Sequence, residues 1–277
     1  MRINTNRWTQ GALLAVGIVL AGCGDKEAQD QKLVITGSST VAPLVAELAT
    51  LYERSHPQVR IDVQTGGSSR GIQDARAGLA DIGMASRALT AEETDLQAHT
   101  LAWDGITVIV HRDNPVTLLS KGQLQAIYGG HIRNWSDVGG NQAPISVINK
   151  AEGRSTLELF LSYLQMANRD IRADVVIGDN QQGIKSVIGL PTAIGYVSIG
   201  AAAYEVEQGA PLRLLPVDGV EPTLANVENG RFPIARPLNL LTRGQAQGLA
   251  ADFIRFSLGA EAQAAIQAQF FIPARAR

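Results

Sequence analysis

Residues 64–87 have the sequence QTGGSSRGIQDARAGLADIGMASR, in which a turn rich in glycine and serine precedes a segment with helical spacing. The apolar face of that predicted helix consists of Ile72, Ala75 and Leu79. A strand-like run, VRIDVQT (59–65), precedes the turn, and the short apolar run ADIGM (80–84) follows the helix. This order of strand, turn, helix and strand predicts an α/β fold with mainly parallel sheets.

The same alternation continues along the chain. Further strands are predicted at LVITG (33–37), GITVIVH (105–111), ISVINK (145–150), DVVIG (174–178) and AIGYVS (193–198). Capping boxes at TAEE (90–93) and SKGQ (120–123) predict two more helix starts.

Two apolar segments are longer than a typical core strand, and each has a proline near one end: GITVIVHRDNP (105–115) and FPIARPLNLLTRG (232–244). We interpret them as two strands that cross between two α/β lobes. The first lobe would consist of residues 33–109 and 238–277, and the second of residues 110–237. A single doubly wound sheet is the alternative.

The N-terminus has the layout of a secretory signal. MRINTNR carries two arginines and no acid, and the apolar run GALLAVGIVLA that follows is too short to span a bilayer. Cys23, the only cysteine of the sequence, follows Leu-Ala-Gly in a pattern that resembles a bacterial lipobox. We predict a signal peptide over 1–22, lipidation of Cys23 and a polar tether over 23–32. The alternatives are a stray cysteine in a signal peptide and a free buried thiol.

Three turns between a strand and a helix are rich in Gly, Ser and Thr: GSSTVAP (37–43), GGSSRG (66–71) and KAEGRSTLELF (150–160). In the third turn, Ser155 and Glu158 form a predicted capping box. Helix N-termini present free N–H groups and a partial positive charge, and in α/β sheets ligands bind at the carboxyl ends of strands. Three such helix mouths predict a common site for a small oxyanion, although each alone is typical of an ordinary helix cap.

Charged residues near these turns have candidate roles in that site. Lys150 and Arg154 lie inside the third turn and are the preferred cations, ahead of Arg87. Asp81 would repel a fully ionised anion, but it would accept a hydrogen bond from a protonated one such as phosphate, which favours phosphate over sulfate. The alternative for Asp81 is a residue that caps or bridges at a strand end.

Four stretches, in this order, resemble a known family: ITGSSTVAPLVAELA, QTGGSSRGIQDARAGLADIGMASR, LQAIYGGHIRNWSDVGG and RPLNLLTRG. The resemblance is to the phosphate-binding proteins of bacterial high-affinity phosphate ABC transporters, and it extends from about residue 33 to the C-terminus. It implies a type II periplasmic-binding-protein fold whose lobes close over phosphate. It also implies a membrane permease as partner. With the predicted signal peptide and lipidation, we expect a membrane-anchored lipoprotein in the periplasm or at the cell surface, without catalytic activity.

The resemblance also implies site residues. These are Ser39 and Thr40 in the first turn, Ser68 with Ser69 beside it in the second, Asp81 as acceptor of the phosphate proton, and Ser155 and Thr156 in the third. The third turn departs from the family pattern, because Lys150 stands where an arginine is usual and Arg154 where a serine is expected.

Other functions are left open or disfavoured. The same fold would also suit a receptor for sulfate, arsenate or vanadate. Residues 67–71, GSSRG, match the nucleophile elbow of a serine hydrolase, with Ser69 as nucleophile and His111 or His131 as its histidine.

The composition argues against two other classes of ligand. A net charge of −2 gives no argument for nucleic-acid binding, and four histidines with one cysteine disfavour a metal site. We expect a monomer without a cofactor.

Overall fold

A computed structural model describes residues 31–274 of the chain. The strands of this part are β1 (Gln31–Gly37), β2 (Val59–Thr65), β3 (Ile82–Ala85), β4 (Leu96–His111), β5 (Ser146–Lys150), β6 (Val175–Ile177), β7 (Ala193–Ser198), β8 (Leu212–Leu215), β9 (Ala235–Arg243) and β10 (Ile272–Pro273). Its α-helices are α1 (Ala42–Ser55), α2 (Ser68–Ala77), α3 (Lys121–Tyr128), α4 (Ser155–Leu164), α5 (Asn180–Gly189), α6 (Ile199–Glu207), α7 (Leu224–Glu228), α8 (Gly248–Ser257) and α9 (Ala260–Ala268).

The strands form two groups that share β4. The order β2-β1-β3-β9-β4 defines the sheet of a first lobe, and the order β4-β7-β5-β6 defines the sheet of a second lobe. Parallel pairing joins β1 to β2 and β3 in the first lobe, and β5 to β6 and β7 in the second. Helices α1, α8 and α9 contribute to one hydrophobic core, whereas α3 and α4 contribute to another. The predicted α/β fold with two lobes is confirmed.

Strands β4 and β9 pass between the two cores. In β4, Leu101 and Ala102 belong to the first core, whereas Ile106 and Val108 belong to the second. The neighbour of β4 changes at the same place, since its pairing with β9 ends at Gly105 and its pairing with β7 begins at the next residue. Both segments that were predicted as crossings therefore overlap strands that connect the lobes, at residues 105–111 of β4 and residues 235–243 of β9.

Two predicted helix starts agree with the local chemistry. Pro43 lies in the first turn of α1, where a missing N–H has no cost. Helix α3 begins after Ser120, and both hydrogen bonds of its capping box with Gln123 are present. Sequence patterns of this kind act over three or four residues, so they were predictable without the fold.

The predicted helix at TAEE (90–93) is wrong. The backbone N–H of Thr90 donates to the Glu93 carboxylate at 2.8 Å, which is half of a capping box, but the chain then turns and enters β4 at Leu96. Glu93 is instead buried in an ion pair with Arg87. Because residues 96–105, which follow, pair with β9, tertiary pairing prevails over the local helix signal.

Two further predictions concern the N-terminal region. Gln31 and Lys32, assigned to the tether, are the first residues of β1 and pair with Val59 and Arg60 of β2. The predicted signal peptide and Cys23 lie outside the described residues. Within 31–274, no helix has the length and apolar character needed to cross a bilayer.

Candidate functional site

The three predicted helix mouths lie at the carboxyl ends of β1, β2 and β5 and are in contact with one another. The N–H groups of Gly66 and Gly67 donate to the carbonyl of Gly37 at 2.9 and 3.0 Å, which joins the turn before α2 to the turn before α1. The N–H of Ser69 donates to the carbonyl of Gly153 at 3.3 Å, which joins α2 to the turn before α4 in the other lobe. The structure therefore brings all three mouths to one cleft between the lobes.

Glycine at position 67 is required for this approach. Its φ of 96° is in the region that other residues rarely adopt. A Cβ added there would lie 2.5 Å from the carbonyl oxygen of Gly153, so any side chain would push the lobes apart.

Arg236 of β9 lies at the centre of the cleft and is almost completely buried, with 1% exposure. Its guanidinium donates to the Asp104 carboxylate at 2.8 and 3.1 Å. It also donates to the hydroxyl of Thr156 at 2.8 Å, of Ser86 at 3.3 Å and of Thr40 at 3.4 Å. We call these five residues the Arg236 cluster, and it links the turn before α1 in the first lobe to α4 in the second.

Arg236 and Asp104 were not among the predicted site residues. Arg236 lies within a predicted crossing strand and Asp104 directly precedes one, and the surrounding residues are mostly apolar. A charged residue inside such a run has to be paired when it is buried, and this was the available signal.

Lys150, at the end of β5, is a second buried cation, with 3% exposure. Its ammonium donates to the carbonyl of Asp179 at 2.8 Å and to the side-chain oxygen of Asn180 at 3.1 Å. Burial lowers the pKa of Lys150 to about 7, and the nearby positive charges of Arg236 and Arg154 act in the same direction. An anion bound beside Lys150 would favour its charged form.

Asn180, the first residue of α5, connects Lys150 to the opposite lobe. Its amide donates to the hydroxyl of Thr40 at 3.1 Å, while its oxygen accepts from Lys150. Asn180 is buried and was not among the predicted site residues. Asn180 could have been predicted from the sequence, because Asp179 and Asn180 stand at a helix start that follows a predicted strand, as in the three predicted helix mouths.

The mouth of α4 contains polar atoms that have no partner. The hydroxyl of Ser155 and the Nε atom of Arg154 are buried and form no hydrogen bond among the described residues. A buried donor without a partner destabilises a protein by about 1–3 kcal/mol. Lys150, Arg154 and Ser155, which we call the α4 mouth, therefore present donors that an oxyanion would satisfy.

The predicted capping box of Ser155 and Glu158 is wrong. The N-cap of α4 is Arg154, one residue earlier, so Ser155 is already inside the helix. The Glu158 carboxylate instead accepts from Arg87 at 3.1 Å and from the hydroxyl of Ser69 at 3.4 Å, both in the first lobe.

The remaining serines lie at different depths. Ser68 is buried, and its hydroxyl accepts the N–H of Ser86 at 3.1 Å. Ser39 and Ser69 are partly exposed. Ser38, which precedes Ser39, is buried, and its hydroxyl accepts the N–H of Thr40 at 3.2 Å. Ser38 and Ser86 were therefore missed, although both stand next to residues that were named.

Asp81 does not lie at the mouths. It is exposed and precedes β3, and its carboxylate accepts the N–H of Val34 at 2.7 Å. The carboxyl end of β3, which faces the cleft, is at Ala85, about 13 Å farther along the strand. The structure thus corrects the predicted role, because the bridge at a strand end, the alternative considered above, is the one observed.

The hydrolase alternative gains no support from this geometry. The hydroxyl of Ser69 faces Glu158 rather than a histidine, and Nδ1 of His111 accepts the N–H of Asp113. Within residues 31–274, no hydrogen bond joins Ser69 to His111 or His131.

Comparison with known proteins gives one consistent result. Residues 24–261 match the model of the PBP superfamily domain. The phosphate-binding protein PstS of Bacillus subtilis (strain 168) is 30% identical over 256 residues, which cover 90% of this chain and 82% of the relative.

Two solved structures are similar over most of the chain. A putative phosphate ABC transporter substrate-binding protein from Clostridium perfringens, with bound phosphate, has a TM-score of 0.80 and 33% identity over 88% of this chain and 100% of its own. An ABC-type phosphate transport receptor from Vibrio cholerae has a TM-score of 0.70 and 31% identity over 87% of this chain and 99% of its own.

Proposed function

Because this chain belongs to the PBP superfamily and, within it, to the phosphate-binding proteins named PstS, we propose that it captures inorganic phosphate and delivers it to an ABC permease. It is a solute-binding protein rather than an enzyme. Its task is therefore to bind and release an anion without breaking a bond.

The observation that carries this proposal is the α4 mouth. Two buried donors there have no partner among residues 31–274, and the buried ammonium of Lys150 donates its hydrogen bonds to neutral oxygens. A tetrahedral oxyanion would accept from these donors and from the hydroxyls of Thr40 and Thr156 while neutralising the positive charge. Ser68 and the N–H groups at the start of α2 supply donors from the first lobe.

Hinge closure is the motion that fits these contacts. Hydrogen bonds from Asn180 to Thr40 and from Ser69 to Gly153 join the lobes, so they break when the cleft opens. In the proposed cycle, phosphate enters the open cleft, and bending in β4 and β9 brings the second lobe onto it. The permease then recognises the closed form.

We further propose that the protein acts outside the cytoplasm as a lipoprotein. Lipidation of Cys23 after removal of the signal peptide would anchor it to the membrane. Because β1 begins at Gln31, the tether between lipid and first lobe would be residues 24–30.

Another oxyanion is the second candidate ligand, and one observation favours it. The carboxylate of the Arg236 cluster, Asp104, already accepts from Arg236 through one oxygen and from the N–H of Gly200 through the other. With Asp81 remote from the cleft, no free carboxylate among the described contacts of the cluster selects a protonated anion. This observation favours sulfate, which carries no proton near neutral pH, and sulfate is therefore tested beside phosphate together with arsenate and vanadate.

Titration calorimetry on the phosphate-free protein tests the proposal. We expect phosphate to bind at micromolar concentration or more tightly, about −8 kcal/mol or better. Absence of a phosphate signal together with tight binding of sulfate or vanadate would assign the cleft to that anion instead. Incorporation of labelled lipid into the wild-type chain, and its loss in Cys23→Ser, tests the anchor.

A further inference from the structure

A contact between the lobes lies beside the helix mouths but outside the Arg236 cluster. Arg87 follows β3 in the first lobe, and its Nε atom donates to the Glu158 carboxylate of the second lobe at 3.1 Å. The Arg87 side chain is 14% exposed and that of Glu158 is 40% exposed, so this ion pair lies at the rim of the cleft.

The first lobe holds Arg87 in a fixed orientation. Its two terminal nitrogens donate to the two carboxylate oxygens of Glu93, each at 2.8 Å. The N–H of Thr90 in turn donates to Glu93, and the amide of Asn239 donates to the carbonyl of Arg87 at 2.8 Å. Arg87 holds the pKa of Glu93 below its usual value, which keeps that carboxylate charged. Little side-chain entropy is therefore lost when Arg87 meets Glu158.

Glu158 connects this ion pair to two of the helix mouths. It stands in the first turn of α4, and its second oxygen accepts from the hydroxyl of Ser69 in α2 at 3.4 Å. The N–H of the same serine donates to Gly153, two residues before α4. Separation of the lobes breaks all of these contacts together.

We propose that Arg87 and Glu158 are positioning residues that hold the cleft closed and set the rate at which the bound anion leaves. This inference rests on the proposed function. Arg87 was considered as an anion contact, but its three nitrogens are engaged by Glu93 and Glu158, so it acts on the ligand through closure. A contact that forms only on closure stabilises the complex without aiding the first encounter, so its loss raises the dissociation rate and leaves the association rate unchanged.

Stopped-flow measurement of inorganic phosphate binding to wild type and Glu158→Gln tests this proposal. We expect the dissociation rate to rise about two- to fivefold, as is typical of partly exposed ion pairs, and the association rate to stay the same. The wild-type dissociation rate should also increase with ionic strength, and this dependence should be weaker in the variant. Glu92→Gln is the matched control, because it removes the same charge from the exposed neighbour of Glu93.

A double-mutant cycle with Arg87→Met distinguishes a specific pair from a general charge effect. The Glu158→Gln effect should disappear in the Arg87→Met background. An unchanged dissociation rate in Glu158→Gln, or an effect that persists without Arg87, would overturn the proposal. Small-angle scattering without ligand gives a second test: Glu158→Gln should have a larger radius of gyration than Glu92→Gln, and equal radii would also overturn it. Wild type that fails to bind phosphate would refute the proposed function instead, while the scattering test still decides the role of the ion pair.

Discussion

The Arg236 cluster and the α4 mouth lie in the same cleft, yet their polar groups are paired to different extents. The guanidinium of Arg236 has a carboxylate and three hydroxyls as partners. In the α4 mouth, Lys150 donates its hydrogen bonds to neutral oxygens, and Ser155 and Arg154 have buried donors without partners in the part of the chain that the structure describes.

This difference gives the two regions different roles: the Arg236 cluster stabilises the fold, and the α4 mouth binds the ligand. A buried charge that is already paired has little to gain from a ligand, whereas its removal or unpairing is strongly destabilising. An unpaired buried donor, by contrast, gains most when an anion arrives. We therefore expect changes in the Arg236 cluster to affect folding first, and changes in the α4 mouth to affect affinity first.

The largest effect is expected for Asp104→Asn, which leaves the buried charge of Arg236 without a counter-charge at nearly constant volume. The free energy of unfolding should fall by about 3 kcal/mol or more, measured by urea denaturation without ligand. Asp252→Asn is the control, since its ion pair with Arg255 is exposed and its loss should change stability by less than about 1 kcal/mol. Equal effects of the two variants would show that the cluster is not a structural element.

Lys150→Met should reduce phosphate affinity rather than stability. Phosphate affinity should fall about thirtyfold, or about 2 kcal/mol, because a charge-assisted contact to the anion is lost. The free energy of unfolding should not fall, since no buried counter-charge is left behind. A variant that unfolds while retaining affinity would reverse the roles of the two regions.

The lowered pKa of Lys150 gives the same variant a pH signature. Between pH 7 and pH 10.5, the unfolded lysine binds more protons than the folded one, so this residue makes stability rise with pH across that window. Lys150→Met should lack this contribution, which urea denaturation at pH 7 and pH 9 measures.

Binding should also take up a proton at Lys150. At pH 7 a group with a pKa near 7 is about half protonated, so an anion that favours the charged form should cause uptake of up to about half a proton. Calorimetry in buffers of different ionisation enthalpy measures the uptake, and the difference between wild type and Lys150→Met isolates it from the titration of phosphate itself. Identical uptake in both proteins would contradict a ligand-induced pKa rise.

A smaller effect is expected for Ser155→Ala. It removes a neutral hydroxyl that has no partner without ligand, so affinity should fall about three- to tenfold while stability is unchanged or slightly higher. Ser162→Ala, on the same helix at an exposed position, serves as control. A loss of stability in Ser155→Ala without a loss of affinity would mean that the hydroxyl has a structural partner.

How well each feature could be predicted depends on how far apart in the sequence the residues that determine it lie. The helix starts at Pro43 and Ser120 depend on three or four neighbouring residues, and the strand-to-helix order that gave the fold depends on local periodicity; both were predicted. The Arg236–Asp104 ion pair joins residues that are 132 positions apart, so only the fold reveals it. The helix predicted at 90–93 failed for the same reason, because pairing with β9 decides the conformation of the segment that follows.

Asp81 gives the smallest expected effect and the clearest test of this limit. It was assigned to the site because a carboxylate can accept the proton of phosphate and because the family resemblance implied that role. Its position at the amino end of the predicted run ADIGM (80–84) already disagreed with a site at the carboxyl ends of the strands. Asp81 lies at the amino end and bridges to β1. Calorimetry with phosphate and sulfate should therefore give the same ratio of affinities for wild type and Asp81→Asn, within about twofold, because the length of β3, about 13 Å, separates Asp81 from the strand end that faces the cleft. A narrowed ratio would mean that Asp81 does reach the anion and contributes to its selection.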